Sequence, residues 1–83
     1  MGAAALAKGF QDSRYRDLIG LLVAERKRQG LSQEKLAERL GRHQQFVSRF
    51  EIGERRLDAI ELVDICRELG LSAGKMLDAI PAG

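Results

Sequence analysis

Tryptophan is absent and the aromatics amount to one tyrosine and three phenylalanines, so any core in this chain must be filled mainly by aliphatic side chains. The single cysteine, Cys66, excludes an intramolecular disulfide. The single histidine, His43, has no cysteine or carboxylate at metal-ligand or catalytic spacing around it. Neither a phosphate-binding glycine loop nor a paired-cysteine site occurs. The sequence therefore predicts no catalytic set, no metal and no cofactor, and the protein is not expected to be an enzyme. No apolar run is long enough to span a bilayer, and Met1 to Leu6 is too short, with no basic region before it, to be a secretory signal. No membrane partner and a cytoplasmic location follow as expectations.

What is present is aliphatic and charged residues, with glycine mainly at apparent helix ends. Eighty-three residues make one domain, and a chain of that size is marginal alone unless well packed or oligomeric. The net charge of +2 says little, but its distribution says more. Residues 1–57 carry 12 Lys and Arg against 7 Asp and Glu, whereas residues 58–83 carry 2 against 5. Such asymmetry orients the basic part toward phosphate and the acidic part away from it.

The basic part contains the stretch around which the chain is organised, Ser32 to Gly53. Ser32 can cap a helix in which Leu36, Ala37 and Leu40 recur at one-face intervals. Gly41 ends it, because glycine adopts a positive φ without steric cost and lets the chain turn sharply. A second helix follows after Arg42. Val47 and Phe50 lie on one side of it, and Gln45, Ser48, Arg49 and Ile52 on the other. Gln44 and Gln45 fall in its first turn, where a recognition helix presents side chains to base edges in the major groove. Two short helices joined through glycine form the pattern of a helix-turn-helix.

LSQEKLAERLG followed by QQFVSRFEIGERR resembles the Xre-type helix-turn-helix family, the class of the lambdoid phage repressors and Cro proteins, with similarity running from about Tyr15 to about Ile80. The resemblance implies an all-α, compact five-helix lambda-repressor-like domain with the helix-turn-helix at helices 2 and 3. It implies a phosphate contact from Gln33, base contacts from Gln44, Gln45 and Arg49, and a partly buried ion pair between Arg26 and Glu51 that ties the first helix to the recognition helix. It also implies phosphate binding by Arg55 and Arg56 in the loop after Gly53, and a dimer interface on the last helix. The chain departs from the family at His43, where a capping Ser or Thr is usual, at Phe46, where a small polar residue is common, and at Glu54, where a basic residue is common.

In chain order, residues 1–11 read as a flexible tail, with a DNA-contacting arm through Lys8, Arg14 or Arg16 as the less favoured reading. Residues 12–83 read as the domain. Asp12 or Ser13 caps a first helix with a stripe of Tyr15, Leu18, Ile19, Leu22 and Val23. Gly20 inside it costs about 1 kcal/mol relative to alanine, and close packing against a neighbouring helix would explain it. Arg26 continues the stripe, while Lys27 and Arg28 read as a solvated helix end beside Gly30. Phe46, at the edge of the core face, reads as packing rather than as a thymine-methyl contact. Asp58 caps a fourth helix with Leu62, Val63, Cys66 and Leu69 inside, and Cys66 reads as a small core hydrophobe. Ser72 caps a fifth helix, where Met76, Leu77 and Ile80 form the apolar patch assigned to a homodimer interface.

The expected function is a sequence-specific transcriptional regulator that binds double-stranded DNA. Gln44, Gln45, Arg49 and Ser48 read bases, and Gln33, Arg42, His43, Arg55 and Arg56 hold phosphates. The alternative is a protein-interaction module on the same scaffold, an antitoxin or anti-activator. It draws on the low net charge, on Phe46 and Ile52 at or near the exposed arc, and on Glu54.

Overall fold

In the computed structural model, which describes residues 12–82, the chain enters its first helix at Asp12. That carboxylate accepts the Arg14 backbone N–H at 2.9 Å and starts α1, Ser13–Arg28. The Ser32 hydroxyl accepts the Lys35 N–H at 3.0 Å and opens α2, Gln33–Leu40, which closes at Gly41 with φ 67°. The turn leads into α3, Gln44–Glu51, whose N-cap is His43 in extended conformation with no side-chain cap bond. At Asp58 a reciprocal pair forms: its carboxylate accepts the Glu61 N–H, the Glu61 carboxylate accepts the Asp58 N–H, and α4, Ala59–Leu69, begins. Ser72 caps a final short helix, α5, Ala73–Asp78. These five are the helices of the described residues, among which there is no strand.

The core is where the stripes of these helices meet. α2 and α3 pack tightly on each other, α4 lies against α1 and α2, α3 also touches α1, and α5 rests on α4. Ile19 and Leu22 from α1, Leu36 and Ala37 from α2, Val47 and Phe50 from α3, and Ile65 and Cys66 from α4 are buried in one cluster. Burying a side chain of the size of Leu, Ile or Phe stabilises by about 1.5–3 kcal/mol, so this junction dominates what holds the domain together. Cys66 belongs to it: burial pushes its thiol pKa up, and its Sγ lies 3.7 Å from Met76 Sδ.

Two expectations are corrected, and one less favoured reading falls with them. Val63 does not join the inner face of α4; it is exposed, and Ile65 is fully buried in its place. The buried set Leu62, Ile65, Cys66 and Leu69 follows the i, i+3, i+4, i+7 rule, which puts Val63 a quarter-turn outside it. Gly20 is not a close-packing site, because a Cβ built there meets no atom within 4 Å. Gly20→Ala is therefore expected to stabilise the protein by about 1 kcal/mol, read as a rise in the urea midpoint with unchanged slope; a fall in the midpoint would contradict the open space seen there. The less favoured arm reading does not hold for Arg14 or Arg16: both lie within α1, and the Arg14 guanidinium pairs with Asp12 at 2.8 Å. The tail expected over residues 1–11, Lys8 included, lies outside the described residues. Among the described residues no helix is long and apolar enough to cross a membrane.

Candidate nucleic-acid interface

The orientation of α3 is set from below by a buried ion pair. Arg26 on α1 donates from Nε to Glu51 Oε2 at 2.7 Å and from Nη2 to Oε1 at 3.0 Å. Its Nη1 donates to the Leu31 carbonyl at 2.7 Å, and the Gln33 amide donates to Glu51 Oε1 at 2.9 Å. The two charged side chains are only 9% and 6% exposed. A carboxylate in the last turn of a helix faces the negative end of the helix dipole, so Glu51 is stable there because Arg26 and Gln33 satisfy it. The result is a junction of α1, α2 and α3 at the C-terminal end of α3. Gln33, expected at phosphate, thus has one amide N–H committed to Glu51.

The opposite face of α3 points outward. Gln44 and Gln45 are exposed in its first turn, and Arg49, one turn beyond Gln45, has a 61% exposed side chain. Ser48 is half-buried between them, and its hydroxyl donates to the Gln45 carbonyl at 3.3 Å. Glu54 approaches Arg49 only to 4.0 Å, at the limit of an ion pair. An exposed row of two carboxamides and a guanidinium on one helix has the donors and acceptors to pair with adenine and guanine edges.

Beside this row lies a cleft lined by Arg42, His43, Gln45, Phe46, Arg49 and Arg55. Phe46 is buried, with its ring 5.5 Å from that of Phe50. The Arg42 guanidinium lies over the Phe46 ring at 3.9 Å from its centre, and that of Arg55 at 5.0 Å. Both arginines share Glu61. Arg55 donates from Nη1 to Oε1 at 2.8 Å and from Nη2 to Oε2 at 2.7 Å, and Arg42 Nη1 stands 3.5 Å from Oε2. The bond from Arg55 holds the Glu61 carboxyl below its ordinary pKa of 4.5, against the opposing effect of burial.

The structure thus gathers Arg42, His43, Gln45, Arg49 and Arg55 around one cleft, with Gln44 and Ser48 on the same helix. Arg56 does not line that cleft; its guanidinium lies 4.6 Å from the centre of the Tyr15 ring, whose hydroxyl accepts the Leu57 N–H at 3.1 Å. Met76, Leu77 and Ile80 lie away from the cleft, on α5 and just beyond it. Met76 and Ile80 pack partly on the core, whereas Leu77 is 48% exposed. Sequence reasoning missed Glu61, which it counted only with the acidic end of the chain. The spacing from Asp58 to Glu61 carried a capping-box signal, but nothing local pointed to Arg42 and Arg55 as its partners.

Residues 22–75 match the family model described as helix-turn-helix. A solved XRE-family like protein from Pseudomonas syringae pv. tomato is 44% identical to this chain, with a TM-score of 0.79, covering 88% of this chain and 89% of the other. No curated protein gives a significant sequence match. On its fold, its motif and these similarities, the chain belongs to the XRE-type helix-turn-helix family of DNA-binding regulators.

Proposed function

We propose that this protein is a sequence-specific regulator of transcription that reads double-stranded DNA through α3 in the major groove, acting as a homodimer on a near-palindromic site. The observation that carries the reading is the exposed row Gln44, Gln45 and Arg49 flanked by the cationic cleft of Arg42, His43 and Arg55. Glutamine suits adenine and arginine suits guanine through paired hydrogen bonds. Ser48 adds a short hydroxyl to the same face. Phosphate contacts from Arg42, His43, Arg55, Arg56 and the remaining Gln33 amide N–H set the register.

A second copy docked through Met76, Leu77 and Ile80 places two recognition helices about 34–36 Å apart, one turn of DNA. The exposure of Leu77 favours that surface. Residues 12–83 form the binding domain, in the cytoplasm with its DNA.

Arg49→Ala is expected to weaken binding to the preferred duplex by about 1–3 kcal/mol and to relax preference at one base pair. Titration of preferred and random duplexes by fluorescence anisotropy checks it; equal loss on both would remove Arg49 from base reading.

Ile52, 64% exposed at the end of α3, favours the second reading, a protein-binding surface on the same scaffold. Phe46 does not add to it, being buried beneath two guanidiniums. Several phosphate contacts predict a steep loss of affinity with salt, and DNA binding without that slope would favour the protein partner.

A further inference from the structure

We propose that Glu61 is a positioning residue for DNA phosphate: its single carboxylate fixes the Arg55 guanidinium beside Phe46, so that it presents a preset edge to the duplex, and holds Arg42, 3.5 Å away, over the same ring. The proposal rests on the DNA-binding reading above and assigns to Glu61 a role beyond capping α4.

Three observations carry it. First, the Arg55–Glu61 pairing is end-on, through Nη1 and Nη2, and a second Nη1 bond goes to the Arg56 carbonyl at 3.2 Å. That geometry leaves the Nε–H and the outer Nη2–H, two parallel donors that match two phosphate oxygens. Second, Glu61 is itself held: its side chain is 11% exposed and its Oε1 accepts the Asp58 N–H at 3.0 Å, so it is a fixed post rather than a swinging arm. Third, Arg42 and Arg55 lie over the same Phe46 ring. One carboxylate between two guanidiniums relieves their mutual repulsion and leaves the cluster with one net positive charge. Long cationic side chains lose rotamer freedom on binding, and fixing them beforehand lowers that cost.

Simple charge counting predicts the opposite sign. A carboxylate beside the phosphates repels them, so removing its charge would tighten binding. Glu61→Gln separates the two, because glutamine at this position preserves a capping-box acceptor while losing the charge that holds the arginines. The measurement is binding of a fluorescein-labelled random-sequence duplex across a salt series by wild type, E61Q, R55Q and the double variant, with circular dichroism melts of each.

E61Q is expected to weaken binding on the order of tenfold despite its added positive charge. The slope of log affinity against log salt is expected to become shallower by about 0.9 for each phosphate that the arginines no longer neutralise. R55Q is expected to cost far less in the E61Q background than in wild type. Equal or tighter binding by E61Q, or strictly additive losses, overturns the proposal while leaving DNA binding intact. A wild type that binds no duplex at any salt overturns the functional reading and this proposal together. Should E61Q melt below the assay temperature, Arg55→Lys with Glu61 intact takes its place: lysine keeps the charge but has no fork, and undiminished binding by R55K overturns the proposal.

Discussion

Glu51→Ala is expected to destabilise the domain by about 3–5 kcal/mol, because it strands a buried guanidinium without its counter-charge. Arg26 loses two short bonds at once and keeps only the Leu31 carbonyl, and the Gln33 amide loses its acceptor as well. At roughly 4–8 °C per kcal/mol for a domain of this size, the thermal midpoint should fall by at least ~12 °C. The total stability of such domains is about 5–15 kcal/mol, so the variant is expected to be partly unfolded near physiological temperature. Replacing both partners together, Arg26→Met with Glu51→Leu, is expected to cost far less, since no buried charge is left behind. A loss under about 1 kcal/mol for Glu51→Ala would mean that the pair is solvated and does not anchor α3.

Phe50→Ala is expected to cost about 3–5 kcal/mol, the range for truncating a buried aromatic. Phe50 has no exposed surface, stands on the helix that packs on both α1 and α2, and supports the ring of Phe46. Its removal should therefore lower the urea midpoint and also loosen Phe46, on which Arg42 and Arg55 rest. A measured loss under about 2 kcal/mol would imply that neighbouring side chains collapse into the space, and that the junction is less rigid than its burial indicates.

The parts of the fold legible in the sequence are those governed by local rules. Ser32, Asp58 and Ser72 announce their helices because a short polar side chain satisfies orphan N–H groups wherever it precedes an apolar stripe. Gly41 announces the turn between the motif helices because its φ of 67° is strained for other residues. The inner face of α4 was less legible. Val63 and Ile65 are both aliphatic and both neighbour the stripe of Leu62, Cys66 and Leu69; the i+3 spacing from Leu62 selects Ile65, and the packing of that helix against α1 and α2 buries it.

At the site, Gln45 and Arg49 could be placed on one exposed arc from helical spacing, and Gln44 beside them from its place in the first turn. The environment of Gln33 and Glu61 could not. Each is an ordinary polar residue near a helix start, and each acquires its partner from another element: Glu51 from the end of α3, and Arg42 and Arg55 from the two flanks of that helix. Counting charge by chain segment assigned Glu61 to a distant acidic half, whereas folding brings it between the two arginines. Side-chain partners set by tertiary packing leave no periodic trace in the sequence.

The most direct test of sequence-specific DNA binding is selection of bound duplexes from a random pool by the purified, folded protein at near-physiological salt. Enrichment of an inverted repeat with half-sites about one helical turn apart is the predicted result. Adenine and guanine are expected at the positions facing Gln44, Gln45 and Arg49, with the guanine lost in the Arg49→Ala selection. A folded protein that enriches no sequence would contradict it.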